Sequence, residues 1–165
     1  MAAPAETLND LDTIATLYRR HASALLATAY RLLMSRADAE DVVHDLFVGL
    51  PEALRSYQER GRMESWLKRI VVRLALSRLR RKRGVALDES AHLAVVPSDP
   101  ADRVAVQRAL ARLSPPLRAV LVLKDIEGFS HAEIASMLGI SVGASEVRRH
   151  RALARLRELL EGERS

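Results

Sequence analysis

The segment from Ser130 to Leu160 leaves few options for the backbone, because it carries start and stop signals for two helices one tight turn apart. Ser130-His-Ala-Glu133 is a capping box, in which the serine oxygen closes the first turn and Glu133 reaches back to the serine amide. The short helix that follows sets Ile134 and Leu138 on one face. Gly139-Ile-Ser141 then supplies a residue tolerant of left-handed backbone and, at once, a fresh N-cap. The second helix bears Arg148, Arg149, Arg151, Arg155 and Arg157. A basic helix after a tight helix–helix turn suits a helix-turn-helix that enters a phosphate-lined groove. The alternative is a helical hairpin with a solvated charged face.

The bulk properties agree with a helical, polyanion-directed protein. A chain of 165 residues holds one ordinary domain or two small ones. Lys and Arg number 26 against 21 Asp and Glu, a net charge of +5 that favours anionic partners. One Trp, three Tyr and two Phe leave Leu, Ala, Arg and Val to dominate, which favours helices over strands. Cysteine is absent, which excludes disulfides, thiolate metal sites and cysteine nucleophiles and suits a reducing compartment. The start Met-Ala-Ala-Pro-Ala-Glu has neither the basic residues nor the apolar run of an export signal. No stretch reaches the roughly eighteen apolar residues that span a bilayer, so a cytoplasmic protein without membrane insertion is expected.

Along the chain, Leu11, Ile14, Tyr18, Ala22, Leu25, Ala29 and Leu32 recur at three- and four-residue steps and predict one buried stripe on a helix from Asp10 to Met34. Ser35-Arg-Ala-Asp38 starts a second helix, with Val42, Val43, Phe47, Leu50 and Leu54 on one side. Pro51 falls inside that pattern and should kink or restart it. Residues 59–62 read as a loop, and a third helix runs from Glu64 to Arg81 with Trp66, Ile70, Val71, Leu74 and Leu79 as its apolar content. Periodicity fades over residues 84–100, an extended linker. Asp99 can cap a helix with Pro100 at its first position, followed by Val104, Ala109, Leu110 and Leu113. Ser114-Pro115 repeats the signal before Leu117, Val120, Leu121 and Ile126.

Charge is concentrated in two places outside the helix-turn-helix. Residues 60–83 hold Arg60, Arg62, Lys68, Arg69, Arg73, Arg78, Arg80, Arg81, Lys82 and Arg83 against the lone acid Glu64. Such a run can simply be a solvated helix end that complements the macrodipole. Its company of Tyr57, Met63 and Trp66 also suits single-stranded DNA, where cations track phosphates and rings stack on bases. Trp66 alone reads equally as a core anchor. The opposite patch, Asp38, Glu40, Asp41 and Asp45, is partly explained by the dipole at a helix start, and otherwise suits a basic protein surface. His44 lies near Glu40 and Asp41, yet no second histidine is close in sequence, so no metal is expected. No nucleophile, phosphate-loop or zinc pattern is present, and neither an enzyme nor a cofactor is expected.

Three stretches in order resemble the extracytoplasmic-function group of bacterial sigma factors, from about Leu11 to Leu160. Asp38-Ala-Glu-Asp-Val-Val-His-Asp-Leu-Phe47 is similar to the family's helix that docks on the clamp of RNA polymerase. Trp66-Leu-Lys-Arg-Ile70, running into Arg78-Leu-Arg-Arg-Lys-Arg83, is similar to the helix that reads and melts the minus-ten element. Leu113-Ser-Pro-Pro-Leu-Arg-Ala-Val-Leu-Val-Leu123, Glu127-Gly-Phe-Ser-His-Ala-Glu-Ile-Ala135 and Leu138-Gly-Ile-Ser-Val-Gly143 resemble the domain that binds the minus-thirty-five element.

The resemblance implies an all-α chain of two small helical domains joined by a flexible linker, the C-terminal one containing a helix-turn-helix. Residues 1–83 would be sigma domain 2, residues 84–102 the linker, threading towards the RNA exit path, and residues 103–165 sigma domain 4. Core RNA polymerase would be held through Asp38, Glu40, Asp41 and Asp45. Arg60, Arg62, Met63, Trp66, Lys68, Arg69, Arg73, Arg80 and Arg81 would meet the opened single strand of the minus-ten element, with a flipped base captured by the loop at residues 57–65. Ser141, Ala144, Ser145, Glu146, Arg148, Arg149 and Arg151 would meet duplex promoter DNA at the minus-thirty-five element. An anti-sigma factor would be a further partner.

Several residues depart from the family pattern. Arg73 and Ser77 stand where Asn and Asp are common, and Met63 where an aromatic is frequent. The family's Thr-Val-Lys-Ser-Arg-Leu-His-Arg-Ala-Arg is replaced by Ala144-Ser-Glu-Val-Arg-Arg-His-Arg-Ala-Leu153. Arg149 thus occupies a site that normally packs inward, and should snorkel outwards or find an acid. Glu146 puts an acid where a DNA-facing base is usual; it weakens phosphate attraction but can accept a hydrogen bond from cytosine. Two other functions fit parts of the chain: a free-standing helix-turn-helix regulator, which leaves the acidic patch unexplained, and a sigma mimic that titrates a regulatory partner, which leaves the basic stretch unexplained.

Overall fold

The computed structural model describes residues 11–83 and 101–164. Among them are seven α-helices and no strand. The expected linker at 84–100 and the Asp99–Pro100 helix start lie outside the described residues. The chain divides into two compact units, with the division after Ser77 and so inside the third helix, earlier than the expected domain end at residue 83.

In the first unit, α1 (Leu11–Leu33) and α2 (Arg36–Leu54) pack on each other across a two-residue reversal. Met34 makes that reversal with φ 51°, its amide donating to the Tyr30 carbonyl over 2.7 Å. A left-handed non-glycine residue costs about 1 kcal/mol; burial of the Met34 side chain offsets it. Ser35 caps α2 as expected, its Oγ accepting from the Asp38 amide. Leu25, Ala29 and Leu32 are buried, while Tyr18, expected in the same stripe, is 53% exposed. Its ring instead meets Phe47 edge-to-face at 5.0 Å. From α2 the core receives Val42, Val43, Leu46, Leu50 and Leu54. The helix continues through Pro51 without the expected break: Pro51 lies on the exposed side, where a missing amide bond costs least.

The third helix, α3 (Met63–Arg83), buries Val71 and Leu79 as expected but otherwise turns a different face to the core. Leu67, Val71, Ala75 and Leu79, at four-residue steps, are buried with Val72 and Leu76, while Trp66, Ile70 and Leu74 are half-buried.

In the second unit α7 (Val142–Glu163) is the common partner of α4 (Ala101–Arg112), α5 (Pro115–Leu121) and α6 (His131–Leu138). Val104, Ala109, Leu110 and Leu113 are buried as expected. Ser114 precedes Pro115 and Pro116 but makes no side-chain cap, and its Oγ is buried without a partner. The α4–α5 corner is secured instead by Arg118, which is fully buried. Its Nη1 donates to the carbonyls of Leu113 at 3.1 Å and Leu110 at 3.5 Å at the end of α4, the latter also accepting from the Leu113 amide at 3.2 Å. After Leu121 the backbone widens into a π turn (Val122–Ile126), with the Glu127 amide donating to Val122 and the Phe129 amide to Leu123, both at 2.9 Å. The π turn keeps Val122 and Leu123 buried and turns Ile126, expected in the core, to 45% exposure.

Arg118→Met is expected to destabilise the protein by about 2–3 kcal/mol, since buried carbonyls lose a charged donor. Arg118→Lys should recover only part of that, because an ammonium lacks the planar fork. Urea unfolding midpoints of the full-length variants check both.

Candidate nucleic-acid interface

The connection between α2 and α3 is built by its own polar side chains. Ser56 Oγ donates to the Ala53 carbonyl, helping to finish α2. Glu59 organises the loop: one carboxylate oxygen accepts from the Gly61 amide at 2.7 Å and from the Tyr57 hydroxyl at 3.3 Å. Gly61 takes φ 67°, and Arg60 donates to the Gln58 side chain at 2.8 Å. Glu59 was not legible as a site residue, because its partners are set by a turn that periodicity does not describe.

This loop brings Tyr57 against Trp66, ring centroids 4.6 Å apart and tilted by 44°. The two rings line an open cleft of about 580 Å³ with Gln58, Arg60, Arg62 and Arg69. Leu67 takes the core position beside Trp66, and so leaves the Trp66 ring half-buried at the cleft wall. Trp66 thus packs partly against the core and leaves part of its ring at the cleft. Burial and the neighbouring Glu59 carboxylate push the Tyr57 phenol above its ordinary range, so the ring stays neutral beside anionic ligands. Aromatic faces with flanking cations accept unstacked bases and track their phosphates. Met63 and Lys68 are half-buried, and Arg73, Arg80 and Arg81 are exposed; none of these five lines the cleft.

The helix-turn-helix forms as its signals predict. Ser130 Oγ accepts from the Glu133 amide at 3.1 Å while Glu133 accepts from the Ser130 amide at 3.2 Å. Gly139 turns at φ 68°, the Ile140 amide donates to Ala135, and Ser141 Oγ accepts from the Ala144 amide at 3.0 Å. Ser141 and Ala144 are therefore occupied in starting α7.

Of the residues expected on the DNA face, Ser145 lies inward and Arg149 is half-buried and paired. Ser145 is fully buried, its Oγ 2.8 Å from Nδ1 of His131, because the first turn of α7 packs on α6. Arg149 finds an acid: Nε and Nη2 donate to the two oxygens of Asp125 at 2.9 and 2.7 Å. Those hydrogen bonds and the carboxylate's charge hold the guanidinium still more firmly protonated than usual. The open face carries Glu146 and Arg151 with Val147, 49% exposed, and His150; Arg148 flanks it, half-buried. Val147 and His150 escaped the sequence reading, which followed charge; the helical angle from Ser145 would have found them.

On α2, Glu40, Asp41 and Asp45 are exposed, with Glu40 paired to Arg36 at 2.9 Å. Asp38 is buried beneath the first turn and does not share their surface, a consequence of the Ser35 cap that draws its backbone inward. Val48, one turn beyond His44 and 67% exposed, adds an apolar point to the acidic face. Among the described residues no group of three or more His, Cys, Asp or Glu is placed to hold a metal, and no helix is long and apolar enough to cross a membrane.

Comparison with known proteins gives two family models in chain order, Sigma-70 region 2 over residues 17–85 and Sigma-70, region 4 over residues 103–156. The chain is 36% identical over 147 residues to the ECF RNA polymerase sigma factor SigM of Mycobacterium tuberculosis, covering 87% of this chain and 75% of that protein. It is 33% identical over 156 residues to the RNA polymerase sigma factor CarQ of Myxococcus xanthus, covering 90% of each. Another relative, the ECF RNA polymerase sigma factor SigE of Mycolicibacterium smegmatis, is 34% identical over 155 residues; the match takes in 87% of this chain but 60% of that protein's length. The sigma factor RpoE, solved in complex with the anti-sigma factor NepR from Bartonella quintana, superposes with a TM-score of 0.65 at 30% identity, over 84% of this chain and 91% of that one. CnrH, solved in complex with the cytosolic domain of CnrY, gives 0.55 at 27%, over 96% and 95%.

The lone Trp66 permits a direct test of the cleft. A short single-stranded oligodeoxynucleotide should quench its fluorescence at low salt, and Tyr57→Ala should weaken that binding roughly tenfold through lost stacking. Equal affinity for the variant would remove the rings from the contact.

Proposed function

Since the chain belongs to the extracytoplasmic-function group of RNA polymerase sigma factors, we propose that it binds core RNA polymerase and directs it to particular promoters. The polymerase supplies the chemistry of RNA synthesis. This chain supplies sequence selection and strand capture, and contributes no catalytic group.

The observation that carries the proposal is the coexistence of two unlike DNA-directed surfaces on one chain. The Tyr57–Trp66 cleft with Arg60, Arg62 and Arg69 suits an unpaired base. The face of α7 with Glu146, Val147 and Arg151 suits the major groove of a duplex. A free-standing regulator of duplex DNA has no use for the first. In this account Trp66, Arg60, Arg62 and Arg69 hold the opened minus-ten strand, with Lys68, Arg73, Arg80 and Arg81 on its phosphates and Met63 beside the loop. Ser141, Glu146, Arg148 and Arg151 serve the minus-thirty-five element. The exposed acids Glu40, Asp41 and Asp45, with Val48, form the docking face for a basic surface of the polymerase. The site of action is the cytoplasm, where polymerase and chromosome meet. An anti-sigma factor is a fitting regulator, as the complex of RpoE with the anti-sigma factor NepR supports.

Core polymerase mixed with fragmented genomic DNA should yield discrete new transcript starts only when the protein is added, and these starts should share an upstream pair of motifs. Polymerase binding without new starts would favour a titrating mimic, and no polymerase binding would favour a free-standing regulator. Reversing charge at Asp41 and Asp45 together should lower polymerase affinity at least tenfold at low salt, the effect shrinking as salt screens the pair. Co-elution with core polymerase across a salt series measures it, with circular dichroism to check the fold.

A further inference from the structure

The inward face of α7 carries two polar contacts one helical turn apart. Ser145, fully buried, meets Nδ1 of His131 at 2.8 Å, and His131 is the first residue of α6. Four residues on and on the same face, Arg149 makes its two-pronged contact with Asp125 in the π turn. Both positions depart from the apolar pattern that the sequence otherwise follows, and each polar newcomer has found a polar partner. Apolar packing is non-directional and lets a helix turn a little about its own axis at low cost. Hydrogen bonds are directional, and a bidentate fork fixes two atom pairs at once. Two such anchors, about 6 Å apart along the axis by the rise of an α-helix, define a line and so fix rotation as well as depth. Rotation matters because adjacent residues stand about 100° apart around the helix, so a small turn exchanges the side chains that face a groove.

We propose that Asp125 and His131 are positioning residues for promoter reading: acting through Arg149 and Ser145, they set the rotation of α7 and hence which of Glu146, Val147, His150 and Arg151 meet base edges. Arg149 and Ser145 then make no base contact of their own. This rests on the assignment of α7 to the minus-thirty-five element. The π turn gains a purpose, since it carries Asp125 to the start of the α7 face while Val122 and Leu123 stay in the core.

The test uses full-length protein bound to core polymerase and a pool of promoters randomised across the minus-thirty-five element, with the selected sequences read out. Asp125→Arg and Arg149→Asp should each change the preferred bases and lower selectivity about tenfold, whereas the double swap should restore the wild-type preference to within about threefold, as expected for a directly coupled pair. His131→Ala should shift the same base positions. A swap no better than Arg149→Asp alone would overturn the inference, because a guanidinium in contact with DNA cannot be replaced by a carboxylate. Asp125→Asn keeps the shape and carries the comparison if Asp125→Arg does not fold; unchanged base preference in that variant also overturns it. A wild-type complex that binds polymerase but selects no upstream sequence overturns the promoter assignment itself, and this inference with it; selection by the wild type with no rescue by the swap overturns this inference alone.

Discussion

Between Leu138 and Val142 the chain stops one helix and starts another, and the C-terminal unit is arranged around that reversal. Gly139 provides the left-handed step, the Ile140 amide closes the end of α6, and Ser141 Oγ takes up an orphan amide of α7. No large side chain is needed to make the bend. The bend places α7 against α6, and the same helix then collects α5 and α4 along its length. A helix that is both the hub of the core and the intended reader of DNA must divide its circumference. Ser145, Ala152 and Leu159 are buried, while Glu146, Val147 and Arg151 are left outward.

Much of this was legible because it rests on local backbone chemistry. The capping box at Ser130, the cap at Ser35 and the glycine at 139 are read from short-range signals that tertiary packing has no reason to overrule. Faces were less legible. On α3 the large residues Trp66 and Ile70 drew the expected stripe, yet Leu67, Val72 and Ala75 fill the core, and apolar residues on adjacent positions make either choice consistent with a helical period. Partners distant in sequence were not legible at all. Nothing in the sequence ties Arg149 to Asp125, Ser145 to His131, or Arg118 to the end of α4, since each bond depends on how helices cross. The family resemblance grouped Ser145 with the DNA-facing residues and Asp38 with its acidic neighbours, and burial of each depends on helix packing that the resemblance does not carry.

The two DNA-directed surfaces ask for opposite physics. On the proposed reading the cleft would have to offset the cost of taking a base out of its stack, a task that two adjacent rings and a loop held by Glu59 suit. On the same reading the α7 face would meet bases that remain paired, where discrimination comes from donor and acceptor geometry rather than stacking. Glu146 among arginines fits that division: it subtracts from nonspecific phosphate attraction and leaves more of the binding energy dependent on sequence.

The buried guanidinium of Arg118 has a mechanical side. Its Nη1 donates to the carbonyls of Leu110 and Leu113, so parting α4 from α5 would take those contacts from a charge buried in the core. α4 is also the first described helix of the C-terminal unit after residue 100. A pull applied at the N-terminal end of α4 would enter the C-terminal unit through that helix. Arg118, holding the far end of α4, would then tie the departure of that helix to the movement of α5.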